Sequence, residues 1–219
     1  MSEALFLVAE TLRALGVDHG FGTRGSDARA PAGLSLARQV HGTTLVRVPV
    51  RAIPEADALC VSQPGLAVGV RTADCVPLLL ADRRGRGVAA VHAGWRGTAA
   101  GIARLTVRRL ARELGVPPQD WQVAIGPHVG PCCYEVDAPV RDAIESVTAF
   151  GRGRDADHWQ LDLERALVEQ LEEAGIRGFE SVGECTCCHP LTYPSHRRDP
   201  GGGRMLHYVR MPGGADRSG

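Results

Sequence analysis

The run Val88–Ala100, VAAVHAGWRGTAA, constrains this chain more than any other segment. Small apolar residues carry His92 to the end of what reads as a buried strand. Gly94 and Gly97 then break the run around Trp95 and Arg96. A histidine delivered to a strand end beside an arginine-bearing turn builds a site more readily than a core. Seventeen residues earlier, Thr72-Ala73-Asp74-Cys75 leads into another apolar run, and thirty-four before that Gln39-Val40-His41-Gly42 sets a second histidine beside a glycine. Two histidines and a cysteine, each at an element boundary beside a backbone breaker, form a candidate set of three zinc ligands with one position left open for water.

The residues alone leave other readings open. The spacing is long-range and lacks the local pattern of a CxxC pair or an HExxH helix, so Cys75 also reads as a small buried hydrophobe and the histidines as turn residues. Cys75 and His92 can instead be the nucleophile and base of a cysteine hydrolase, in which His41 has no essential task. A metal-binding or partner-regulating protein without turnover is a further alternative.

The chain of 219 residues is long enough for one large core, and its 44% hydrophobic and 23% charged content is that of an ordinary globular protein. Its formal net charge is zero, so no overall field draws it to nucleic acid or to a membrane. All 25 basic residues are arginine. The absence of lysine excludes a lysine Schiff base, and the abundance of arginine makes any single one weaker evidence of phosphate binding. The N-terminal stretch MSEALFLVAETLRALG lacks the basic start and clean cleavage site of a signal peptide, and no run approaches the about 18 apolar residues of a membrane span. Seven cysteines, an odd number, fit free thiols in a reducing cytoplasm better than a disulfide framework.

Hydrophobic spacing predicts helices over Glu3–Leu15, Gly101–Leu114, Pro139–Phe150 and Leu161–Glu173. Strands are expected at Thr44–Val50, Leu66–Arg71, Val76–Ala81, Val88–Val91, Trp121–Ile125 and Met205–Val209, with a polar turn at Asp82–Gly87. No linker is long enough to divide the chain, so a single α/β domain over residues 1–219 is expected, with a disordered tail at 211–219. Adjacent cysteines do not easily face one metal, so Cys132-Cys133 and Cys185-Thr186-Cys187-Cys188-His189 read as packing or redox-sensitive thiols, although the second run resembles a metal knuckle.

Several motifs occur in order: Gln39-Val40-His41-Gly42, Ala73-Asp74-Cys75, His92-Ala93-Gly94-Trp95-Arg96-Gly97, Gly126-Pro127 with Tyr134-Glu135-Val136, and Cys185-Thr186 followed by Ser195-His196-Arg197-Arg198-Asp199. Through them the chain, from about His19 to Val209, resembles the bacterial YfiH/YlmD family, related to the laccase-domain-containing protein of animals and long labelled multicopper polyphenol oxidase. The segment before Gln39 is abbreviated relative to that pattern, His128 stands where a small or thiol residue is expected, and His196 stands where tyrosine is frequent.

The resemblance implies a layered α/β/β/α sandwich and a cytoplasmic zinc enzyme, monomeric or homodimeric, with His41, Cys75 and His92 as ligands. Its implied reaction is phosphorolysis of adenosine, inosine or S-methyl-5′-thioadenosine to free base and ribose 1-phosphate, with adenosine deamination as a second activity. The implied partners are therefore a purine nucleoside and phosphate. Arg24, Arg71 and Arg197 are candidate substrate or phosphate contacts, and Arg96 and Asp74 candidate catalytic residues, Asp74 protonating the purine or supporting the metal site from behind. The polyphenol oxidase label would demand several copper centres and many more histidines than the eight present. Copper binds nitrogen and sulfur donors more tightly than zinc, so it can also load such a site by mis-metallation.

Overall fold

The computed structural model describes residues 5–213. Two sheets lie face to face. One has six strands in the spatial order Gly178–Ser181, Trp121–Ile125, Val76–Asp82, Val88–Ala93, Ala58–Val61 and Leu45–Arg47. The other has five, in the order Phe6–Leu7, His19–Gly22, Met205–Arg210, Ala67–Thr72 and Leu34–Ser35. A small three-stranded sheet, Glu135–Asp137, His158–Leu161 and Phe150–Arg152, is hydrogen-bonded to neither but adds Val136 and Leu161 to the core beside the six-stranded one.

The central strands of the six-stranded sheet are apolar almost without interruption because both faces are covered. Side chains alternate between faces. Leu78, Leu80, Ala89, Val91, Val123 and Ile125 share a core with the helices Ile102–Leu114 and Leu163–Glu173. Their neighbours Leu79, Ala81, Ala90 and Ala124 share the other core with Phe21, Val68, Val70 and Val209 of the five-stranded sheet. The helices end where local chemistry stops them: Gly115 adopts a left-handed conformation at the end of the first. Asp162 caps the start of the second by accepting a hydrogen bond from the Arg165 N–H. At the five-stranded sheet, a single 3-10 turn, Ser26–Arg29, contacts the Met205–Arg210 strand.

The expected strands at 76–81, 88–91, 121–125 and 205–209 and the long helix to Leu114 are present, with ends shifted by a few residues. Three expectations are corrected. In the N-terminal segment, Glu3 lies outside the described residues, Phe6 and Leu7 pair with Phe21 and Gly22 as a strand, and the helix is only Glu10–Arg13. The helix begun near Pro139 ends at Ala143, because Ile144 is extended (φ −96°, ψ 120°), and Phe150–Arg152 is a strand. Met211 is buried and exchanges backbone hydrogen bonds with Gly65 and Leu66, so the packed structure reaches further than the expected tail boundary; residues 214–219 lie outside the description. No helix among the described residues is long and apolar enough to cross a membrane.

Sheet register assembles the site. Antiparallel pairing of Val76 with Ala93 brings Cys75 beside Gly94, and pairing of Ala58 with Val91 brings Asp57 beside His92. The His92 N–H donates to the Asp57 carbonyl at 2.7 Å.

Candidate active site

His41, Cys75 and His92 converge from three separate segments, and their ligand atoms all lie within 4.8 Å of one another. The imidazole rings of His41 and His92 meet edge to face, 4.8 Å between centroids. Gly94 leaves room here, since a Cβ at that position would crowd Cys75 Sγ at 3.0 Å and His41 Cδ2 at 3.1 Å. His41 (φ 60°) and Asp74 (φ 86°) are left-handed without being glycine. Such backbone is held only where surroundings over-determine it, and it clusters at functional sites.

Those surroundings are visible for both residues. The Asp57 carboxylate, fully buried, accepts the N–H groups of Val40, His41 and Gly42 at 3.2, 2.9 and 2.7 Å and bonds His92 Nδ1 at 2.8 Å. It therefore fixes the His41 turn and the orientation of the His92 ring at once, leaving His92 Nε2 for a metal. Asp74 accepts the Thr186 hydroxyl and the Arg197 N–H, both at 2.5 Å, and its carbonyl accepts the Val129 N–H. Both carboxylate oxygens thus tie the 186–197 segment to the strand end that bears Cys75.

The charge balance follows from burial and contact. Burial pushes the Cys75 thiol up, but hydrogen bonds to His41 and His92 pull it down to about 7. Burial pushes His92 down, and its bonds to Asp57 and Cys75 raise it to about 9. The Asp57 carboxyl is pushed up by burial, and His92 with the Gly42 and Val40 N–H groups brings it below the ordinary carboxylate range. A thiol poised to ionise between two imidazoles suits a thiophilic cation, which would replace the protons this set otherwise shares. Among the described residues no fourth His, Cys, Asp or Glu joins the three, so a position stays open, as in catalytic zinc sites.

That opening faces a cavity of about 310 Å³, at the lower end of the range for small-molecule sites. Cys75, His41 and Asp74 form part of its lining, together with Val129, Leu163 and His196. Two arginine–aromatic pairs complete it: the Arg96 guanidinium lies 4.3 Å from the Trp95 ring centroid, and that of Arg197 lies 5.1 Å from that of Tyr134. Arg197 also donates to the Glu135 carbonyl at 3.0 Å.

Of the residues singled out from sequence, His41, Asp74, Cys75, Arg96 and Arg197 line this cavity, and His92 stands behind it in the ligand set. Arg24 and Arg71 do not line it. Arg24 donates to the Pro190 and Tyr193 carbonyls, and Arg71 is ion-paired with Asp27. His128 turns away from the ligand set, bonding the Gly126 carbonyl at 2.9 Å and facing Glu164. Asp57 escaped the sequence reading. Its one local sign is Ala56-Asp57-Ala58 directly before an apolar strand, an echo of Ala73-Asp74-Cys75.

Two packed sheets with a two-histidine, one-cysteine cluster at a cleft define a mixed α/β protein with a candidate metal site. The chain belongs to the family described as multi-copper polyphenol oxidoreductase laccase, whose model matches residues 24–212. A purine nucleoside phosphorylase of Pseudomonas aeruginosa is 38% identical over 176 residues, covering 78% of this chain and 71% of that protein. The purine nucleoside phosphorylase YlmD of Geobacillus stearothermophilus is 37% identical over 191 residues, covering 78% and 69%. The crystal structure of YlmD from Geobacillus stearothermophilus superimposes with a TM-score of 0.87 at 28% identity, over 97% of this chain and 98% of that one. That of Bacillus licheniformis YfiH does so with a TM-score of 0.86 at 27% identity, over 95% and 97%.

Proposed function

We propose that this chain is a zinc-dependent purine nucleoside phosphorylase, acting on adenosine, inosine or S-methyl-5′-thioadenosine, with His41, Cys75 and His92 holding the metal. The observation that carries the reading is the convergence of these three side chains, with His41 and Cys75 lining a cavity whose other walls present two arginines and two aromatic rings. The curated relatives' names supply the substrate class.

Phosphorolysis joins a phosphate oxygen to the anomeric carbon while the bond to the purine nitrogen breaks, and negative charge builds on the departing base. When bound, zinc supplies Lewis acidity at the open position. Arg96 and Arg197 offer planar, paired donors to the phosphate, and their stacking on Trp95 and Tyr134 limits the freedom lost on binding. The same rings give a purine an apolar face to lie against. Asp74, with both oxygens already accepting hydrogen bonds, works as a positioning residue that sets Arg197 and the 186–197 wall.

Deamination of adenosine is a second reaction that an open zinc position supports. A Cys75–His92 hydrolase is disfavoured because His41, idle in that scheme, stands in the cluster on equal terms with the other two. A multicopper oxidase is disfavoured because the described residues contain one histidine-bearing cluster of this kind.

The test is product analysis with metal-quantified protein, adenosine and S-methyl-5′-thioadenosine, with and without phosphate. Adenine released only with phosphate is the expected result. Inosine formed regardless of phosphate would transfer the assignment to deamination, and neither product from zinc-loaded protein would sink the nucleoside reading.

A further inference from the structure

Four cysteines outside the cavity form a second cluster. Cys132 and Cys133 come from one loop, Cys185 and Cys188 from another, and all four sulfurs lie within 4.8 Å of one another. Cys133 and Cys188 approach to 3.4 Å and Cys132 and Cys188 to 3.6 Å. A tetrahedral zinc with bonds of about 2.3 Å keeps its sulfurs about 3.8 Å apart. The cluster therefore already has about the dimensions of a four-thiolate site.

Burial does not account for it. Cys60, fully buried in a strand, is the small hydrophobe that a free cysteine usually is, whereas Cys132 and Cys188 are exposed. The backbone is shaped to present the thiols instead. The Cys133 N–H closes a turn onto the Gly130 carbonyl at 3.0 Å, and the Cys188 N–H closes another onto the Cys185 carbonyl at 3.1 Å. The first turn brings adjacent Cys132 and Cys133 to the same partner, Cys188, a convergence that neighbouring cysteines do not easily reach. A bridge between His128 and Cys185, with the Thr186 N–H on the His128 carbonyl, holds the two turns side by side. The Gly130 N–H donates to Cys185 Sγ at 3.3 Å, a contact that favours a thiolate.

We propose that Cys132, Cys133, Cys185 and Cys188 bind a second metal ion, a thiophilic divalent cation of the zinc type, in a closed four-thiolate site that clips the two loops together. All four positions around such an ion are taken by protein, so its role is structural. Its place in the fold gives the clip a purpose. The first loop continues to Val129 and Tyr134, and the second to Thr186, His196 and Arg197, so the ion pins both loops that wall one side of the cavity. The site itself is independent of the phosphorylase reading, and the zinc counts below take from that reading only the one ion at His41, Cys75 and His92.

Metal content of full-length protein, purified anaerobically from zinc-supplemented cells, tests it. Wild type is expected to carry two zinc ions per chain, Cys75→Ser one, Cys188→Ser one, and Cys187→Ser two. Because Cys188→Ser can lose metal through misfolding, Cys75→Ser protein is also stripped and refilled with cobalt. Intense thiolate-to-cobalt charge transfer together with a tetrahedral ligand-field band is expected from the four-sulfur set. One zinc per wild-type chain, lost entirely in Cys75→Ser, would overturn the proposal. So would two zinc ions retained in Cys188→Ser, cobalt bound without charge transfer, or a disulfide from Cys188 to Cys132 or Cys133 in the fresh protein.

Discussion

The Asp57 carboxylate bonds His92 Nδ1 at 2.8 Å from within a fully buried position. A buried carboxylate is costly unless its oxygens are satisfied, and here one imidazole and three consecutive N–H groups satisfy them. The same group that orients the His92 ring also holds His41 in its left-handed turn. Two of the three candidate ligands are thus positioned by one side chain that does not line the cavity.

Asp57→Asn therefore weakens metal binding by about 10–100-fold, the usual cost of losing such a partner. Competition with a chromogenic chelator measures this. The amide is expected to keep some of the 40–42 turn, so thermal stability of the metal-free protein falls less than the loss of affinity suggests. Unchanged zinc affinity would show that Asp57 serves the fold alone.

Gly94→Ala tests the crowding around Cys75. The new methyl would sit 3.0 Å from Sγ and 3.1 Å from the His41 ring, so one of them must give by a few tenths of an ångström. Zinc affinity and turnover are expected to drop together while the secondary structure measured by circular dichroism stays. Wild-type zinc affinity in Gly94→Ala would mean that the set has more room than these contacts imply.

Why the candidate ligands could be read from sequence and Asp57 could not is a matter of pairing. His41, Cys75 and His92 each stand beside a backbone breaker or at the edge of an apolar run, which are local signals. Asp57 meets His92 only because Ala58 pairs with Val91, a register that no single segment encodes. The same limit produced the failed helix at Glu3–Leu15: Phe6 and Leu7 have helical spacing, but pairing with Gly22 and Phe21 prevails. Trp121–Ile125 was legible because all five of its residues are buried, and four of them are apolar in a short run bounded by turns. The arginines were the hardest to sort, since proximity to a motif says nothing about where a long side chain ends.

That sorting yields a paired prediction. Arg197→Ala is expected to raise the KM for phosphate about tenfold or more, as the loss of a charged hydrogen bond allows, with a smaller change in kcat. Arg24→Ala should instead lower the melting temperature, because its guanidinium is spent on the Pro190 and Tyr193 carbonyls, and leave the phosphate KM in place. A phosphate KM that responds to Arg24 and ignores Arg197 would reverse the assignment.

His207 sets an acid limit on the fold. It is completely buried; the Gly22 N–H donates to its Nδ1 at 3.2 Å, which leaves the ring proton on Nε2, 2.8 Å from Thr72 Oγ1. A second proton would face the Gly22 N–H, and burial, helped by the charge of His92, pushes this imidazole down from 6.5 to about 3. Because the folded value lies below the unfolded one, the neutral ring's contribution is complete above pH 6.5 and is lost as the pH falls towards about 3. His207 thereby contributes up to about 1.4 kcal/mol of lost stability per pH unit across that window. Urea unfolding between about pH 7 and pH 4.5 should show this slope in wild type and a shallower one in His207→Gln, which cannot take up the proton. Parallel slopes for the two proteins would assign the acid sensitivity to other groups.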